Sequence, residues 1–234
     1  LMEQAEGRVE IFGKQILDPA AKAGIAYLPE KFEPPPFLSG LEFVKFSLDL
    51  YGRPYSKEAV LEAADRVALV RHALPRRVNT YSKGMRQKTG LIGTWMTECP
   101  LLILDEPMSG LDPRARVLVK DEIIKCRARG MTVFLSSHIL SDMDELCDRV
   151  AFLVEGRIAL IDSPRALMVR HGERRLRVEY DVAGAAHSAL FDLDGLADHP
   201  DFLRLLRTTH VRSMHTLDAT LEDVFVAVTG ARLT

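Results

Sequence analysis

The heptapeptide Leu101-Leu102-Ile103-Leu104-Asp105-Glu106-Pro107 constrains this chain more than any other stretch. Four consecutive apolar residues closed by two acids and a proline read as a strand buried on both faces, the mark of a parallel sheet. Parallel strands need crossovers, so the flanking sequence must supply helices. A helix is predicted from Pro113 to Arg129, with proline in its first position. Val133 to Leu135 is the next buried strand, and Ile139 to Leu146 a short helix. Upstream, Gly24 to Leu28 reads as a strand ended by Pro29, and Arg8 to Phe12 as a short strand turning at Gly13. Val150 to Val154 and Arg157 to Ile161 flank Glu155-Gly156, a hairpin-turn pair.

Between the first strands and the acidic one the pattern is helical. Glu33-Pro34-Pro35-Pro36 must be an extended connector, because proline fixes φ and lacks the N–H. Leu41, Val44, Leu48 and Tyr51 then share one stripe, with Phe43, Phe46 and Leu50 beside it. Ser56 is the N-cap of a second helix carrying Val60, Ala64, Val67 and Val70. A third helix is predicted from Tyr81-Ser82 to about Thr97, burying Leu91, Ile92 and Trp95. Beyond Pro164 the character changes again. Leu176 to Val182 reads as a strand, Phe202 to Leu206 lies in a helical stretch, and Leu221 to Val228 is an amphipathic last helix. The expected organisation is an α/β core over 1–163 with a helical insertion over about 39–98, and a small α+β appendage over 164–234.

Charge and composition remove several function classes. With 31 basic and 33 acidic residues the net charge is -2, which gives no electrostatic case for nucleic-acid binding. The basic cluster of Arg170, His171, Arg174, Arg175 and Arg177 reads as a solvated face. Cys99, Cys126 and Cys147 form no CxxC pair, so reduced thiols of a cytosolic protein are expected rather than a disulfide framework or a zinc site. No apolar run approaches the roughly 18 residues of a membrane helix. A role in a membrane process would require docking onto another chain.

Four local patterns carry chemistry. Asp105 and Glu106 fall where a parallel strand ends, the edge at which such sheets bind ligands. The first acid can hold Mg2+, which takes hard oxygen ligands, and the second can orient a water for attack on a γ-phosphate. Taken alone, the same pair is an acidic turn after a buried strand. Ser109-Gly110-Leu111-Asp112-Pro113 follows at once. By itself it is a turn and a helix start capped by Asp112. Tyr81-Ser82-Lys83-Gly84-Met85-Arg86-Gln87-Lys88 opens a helix whose N-terminus can receive an anion, with Gly84 permitting close approach, or in which Ser82 is merely the cap. Ser136-Ser137-His138 ends the next strand. His138 can donate to a phosphate oxygen or lie on the surface.

In order and spacing these four patterns resemble the ABC ATPase domain, a P-loop NTPase. Ser82-Lys83-Gly84-Met85 is similar to its signature motif, Asp105-Glu106 to its Walker B pair, Ser109 to Asp112 to its D-loop, and His138 to its switch histidine. Tyr27-Leu28-Pro29-Glu30 resembles the Q-loop with glutamate in place of glutamine. The forms Tyr-Ser-Lys-Gly-Met and Tyr-Leu-Pro-Glu, with Thr220-Leu221-Glu222-Asp223-Val224-Phe225 near the end, resemble the drug- and antibiotic-export branch.

The resemblance implies a site and partners. ATP and Mg2+ are the implied cofactors, with Asp105 and Glu30 on the metal, Glu106 as general base and His138 on the γ-phosphate. A carboxylate at Glu30 cannot donate as an amide does, which leaves its direct coordination of the metal open. Ser82, Lys83, Gly84, Met85 and Asp112 would face the ATP of a second ATP-binding domain, in a homodimer or a heterodimer. Lys83 would add charge near the phosphates or point to solvent. The implied membrane partner is an ABC-2-type permease, which would place the chain on the cytoplasmic face of the membrane. Among Phe32, Phe37, Phe43 and Phe46, most are expected in the core and one or two exposed for docking.

No G-x-x-x-x-G-K-S/T occurs in the sequence; Gly13-Lys14 is followed by Gln15. The expected fold is therefore an N-terminally truncated core, in which the missing strand-loop-helix segment that carries the phosphate loop ends just before Leu1. Two other readings remain at this stage: a degenerate, non-hydrolysing regulatory partner, and a soluble ABC ATPase acting on ribosomes or DNA.

Overall fold

In the computed structural model, which describes residues 6–172, 174–182 and 184–230, the chain divides into two compact units, one ending at His138 and one beginning at Ile139. In the first unit, β1 (Glu10–Ile11) pairs antiparallel with β2 (Lys14–Gln15). The strand expected over Arg8 to Phe12 is thus one arm of a minimal hairpin. Its turn residues Phe12 and Gly13 are both left-handed, at φ 53° and 73°, as a two-residue turn between twisted strands requires. The short α1 (Pro19–Lys22) is capped by Asp18 and leads into β3 (Ile25–Leu28).

The helical insertion begins with α2 (Gly40–Leu50), started by a reciprocal capping box. The Glu42 N–H donates to Ser39 Oγ at 3.2 Å, and the Ser39 N–H donates to the Glu42 carboxylate at 2.7 Å. Next come α3 (Lys57–Arg66), capped by Ser56, and α4 (Lys83–Trp95), capped by Ser82. Every residue of α4 from Gln87 to Trp95 is buried, so this helix is the spine of the insertion. Gly90 explains how it lies on β3. A Cβ there would sit 2.7 Å from Leu28 and 2.8 Å from Phe32, closer than carbon atoms tolerate. Phe32 meets Phe43 edge to face with ring centres 5.1 Å apart. Phe37 and Phe46 are exposed, so two of the four aromatics pack and two remain open.

After α4 come β4 (Leu101–Asp105), α5 (Pro113–Ala128) and β5 (Thr132–Ser136). The strands form a parallel sheet in the order β3-β4-β5, with Tyr27, Ile103 and Phe134 in one cross-strand row. Ala26, Leu28, Leu102 and Leu104 are buried on one face. On the other, Tyr27 is 46% and Phe134 66% exposed. Burial on both faces, expected for β4 and β5, is therefore not what forms: Leu101 and Ile103 are half-buried and β5 is largely open, because the described residues leave the face of Tyr27 and Phe134 uncovered. Glu122 of α5 is a buried carboxylate that accepts from Arg66 of α3 at 3.0 Å and from Lys125 at 2.7 Å. The Arg66 bond ties the insertion to the helix that follows β4, while Lys125 lies on that same helix.

The second unit opens with α6 (Leu140–Leu146) and the hairpin of β6 (Val150–Val154) and β7 (Arg157–Asp162). Glu155 and Gly156 are left-handed at φ 49° and 77°, as the turn requires. α7 (Pro164–His171) follows, then β8 (Arg175–Val182), β9 (Ala185–Asp192), α8 (Pro200–Thr208), β10 (His210–Leu217) and α9 (Leu221–Thr229). The three strands make an antiparallel sheet in the order β10-β8-β9, and Leu176, Val178 and Phe191 pack on Phe202 and Leu205 of α8. α9 packs on α6 and α7, with Phe225 edge to face on Phe152. The basic cluster is divided between elements, Arg170 paired with Asp162 at 2.9 Å and Arg175 lying 3.8 Å from Asp192.

Candidate functional site

β4 and β5 end side by side, and their register places Asp105 next to Ser136. The Ser136 hydroxyl donates to Asp105 Oδ1, fixing the carboxylate at the strand's carboxyl end. The chain then turns through Glu106, which is left-handed at φ 46° although it carries a side chain. Such a conformation is held only where the surroundings over-determine it. Here they do. The Glu106 N–H is shared between Ser136 O and Ser136 Oγ, at 3.3 and 3.2 Å. Glu106 Oε1 accepts from the His138 N–H at 2.9 Å and lies 2.8 Å from His138 Nδ1. Asp105, Glu106 and His138 are thus brought to one edge of the sheet.

The first turns of α4 meet the loop that follows Glu106. Ser82 Oγ accepts from the Met85 N–H at 3.2 Å, so this hydroxyl serves as the cap. A Cβ on Gly84 would fall 2.8 Å from the Gly110 carbonyl oxygen, which makes glycine necessary for the approach. Lys83 Nζ donates to Ser109 Oγ at 3.0 Å, so the lysine is directed along the same loop. Met85 packs against the small cluster of Ala73, Val78 and Tyr81. Asp112 caps α5 by accepting from the Ala115 N–H at 2.9 Å, and that backbone bond holds its carboxyl below the ordinary carboxylate range. Glu30 is exposed and lines a groove of about 750 Å³ with Phe32, Pro35, Lys83 and Gln87.

The metal donors can be compared with what Mg2+ accepts. Among the described residues no group of three or more acidic, histidine or cysteine side chains is gathered for a metal. Mg2+ takes one or two carboxylates and completes its shell with water and phosphate oxygens, so the lone, oriented carboxylate of Asp105 fits it. Two further residues belong to the arrangement. Ser136 orients Asp105, and Gln87, one turn along α4 from Lys83 and Gly84, reaches the backbone after β4. Gln87 carries only one sequence signal, its position on the same helix face as Lys83 and Gly84.

A family model described as ABC transporter matches residues 1–109, and one described as fluoroquinolone efflux ABC transporter C-terminal domain matches residues 174–218. A fluoroquinolones export ATP-binding protein of Mycobacterium tuberculosis is 42% identical over 215 residues, spanning 91% of this chain and 69% of that protein. This chain belongs to the ABC transporter family. It is an ATP-binding protein of the drug-export branch, and its activity is ATP hydrolysis. An uncharacterised ABC transporter ATP-binding protein of Bacillus subtilis is 32% identical over 250 residues, covering 98% of this chain and 80% of that one. A solved ATP-binding subunit of an ABC transporter superposes with a TM-score of 0.65 at 27% identity, over 72% of each chain. The fold is the α/β P-loop fold of these ABC subunits. Among the described residues no helix is long and apolar enough to cross a membrane.

Proposed function

We propose that this chain hydrolyses ATP to drive drug export through a transmembrane permease of the ABC-2 type, paired with a second ATP-binding domain. The observation that carries this reading is the Glu106 carboxylate, fixed at the carboxyl end of β4 and held by both the backbone and the ring of His138. A carboxylate so placed accepts a proton from the attacking water, and the adjoining imidazole orients the γ-phosphate. Asp105, with Glu30 as the second candidate, would hold Mg2+, which supplies charge neutralisation at the phosphates when bound. Ser82, Lys83, Gly84 and Met85 would face the nucleotide of the second ATP-binding domain, with Asp112 beside them. In this reading residues 1–163 form the ATPase domain and 164–234 an accessory domain, and the chain works on the cytoplasmic face of the membrane through its permease. The cargo class to test first is the fluoroquinolones, named for the relative at 42% identity. A non-hydrolysing regulatory role is disfavoured by the presence of all three of Asp105, Glu106 and His138.

The test is phosphate release by the full-length protein assembled with its permease in vesicles. Glu106→Gln should lower the rate by roughly 10²–10⁴-fold while ATP still binds. An unchanged rate would remove Glu106 as the base.

A further inference from the structure

The three polar groups of Glu106 have separate partners. Its N–H goes to Ser136 of β5 and its carboxylate to His138. Its carbonyl goes elsewhere. Gln87 Nε2 lies 3.4 Å from Glu106 O and 3.1 Å from Pro107 O. Both partners are carbonyl oxygens and can only accept, so the side-chain NH2, not its oxygen, must face them. Gln87 is 3% exposed, so its donors have no ready alternative in water. Both carbonyls lie on the C-terminal side of the left-handed residue, its own and that of Pro107, and the direction of these peptide planes helps set where the carboxylate points.

We propose that Gln87 is a positioning residue that clamps the Glu106–Pro107 peptides and so aims the Glu106 carboxylate at His138. This rests on Glu106 being the base. Ser136 fixes the Glu106 amide from the sheet side, and Gln87 fixes the following carbonyls from the helix side. Without Gln87, two carbonyls lose a shared donor and the strained turn is free to relax toward an ordinary conformation. The base would then leave its position by a fraction of an ångström. Because Gln87 sits on the same helix face as Lys83 and Gly84, which touch Ser109 and Gly110, α4 grips the whole loop from Glu106 to Gly110.

The test is Gln87→Met, an unbranched side chain of similar volume that cannot donate. In the full-length protein its kcat should fall by about tenfold or more, with KM for ATP within about twofold of wild type, because misplacing a reacting group acts on the chemical step. In a Glu106→Gln background the same substitution should change the residual rate by less than about twofold, since coupled residues are not additive. An independent readout needs no turnover. The His138 N–H donates to Glu106 Oε1, so its hydrogen exchange should quicken about tenfold in Gln87→Met, while that of Leu102 in β4 stays as in wild type. Unchanged His138 exchange would overturn the proposal. So would a wild-type kcat, or equal acceleration at His138 and Leu102, which is the mark of general loosening. A normal rate in Glu106→Gln alone would instead remove the base assignment, and it is read separately from the exchange.

Discussion

At the scale of single residues, close approach decides which positions tolerate change. Gly84 and Gly110 bring α4 within reach of the loop after β4, and an added Cβ at Gly84 has backbone, not a yielding side chain, in its way. Gly84→Ala should lower stability by about 1–3 kcal/mol, the usual effect of overpacking, measured by urea unfolding. Lys83 presents the contrast. Its bond to Ser109 is exposed, so Lys83→Ala should change stability by less than about 1 kcal/mol in the same experiment. If Gly84→Ala proved as mild as Lys83→Ala, the loop would be able to move away and α4 would not be gripping it.

At the scale of elements, the helices other than α6 are started by side chains that the local sequence supplies. The capping box of α2 is the clearest case, and Ser39→Ala should lower stability by about 1 kcal/mol. Glu42 adds a pH dependence. The Ser39 N–H, followed by the Ser39 hydroxyl, holds its carboxyl below the ordinary value of 4.5. A group whose folded pKa is lowered stabilises the fold above its unfolded pKa and loses that contribution as the pH falls through the folded pKa. The stability difference between wild type and Glu42→Gln should therefore be full at neutral pH and shrink on acidification through and below 4.5. Denaturant titrations across that range check it, and a difference that grew on acidification would contradict the cap.

At the scale of the whole molecule, the second unit has its own small core, in which Phe202 of α8 meets Phe191 edge to face at 5.2 Å. Phe202→Ala should cost about 3–5 kcal/mol, as for other buried aromatic truncations. Hydrogen exchange should place that loss in β8, β9 and α8. Loss spread evenly over both units would mean that this cluster is no separate core.

The sequence alone determined the parts whose signals are local. A buried run ending in two acids specified β4 and the edge where Asp105 and Glu106 lie. Ser56, Ser82 and Asp112 marked helix starts, and Glu155-Gly156 marked a hairpin, because caps and turns act over three or four residues. β9 and β10 were not legible. Their runs, Ala-Ala-His-Ser-Ala and His-Val-Arg-Ser-Met-His, carry weak strand preference and are fixed by pairing with β8. Tertiary structure also decided which sheet face stays open, and that α4 would reach the loop bearing Glu106. Gln87 lies 19 residues from Glu106, and Arg66 lies 56 from Glu122. No local pattern encodes such pairs; they exist because packing the insertion against the sheet leaves buried carbonyls and a buried carboxylate that need partners.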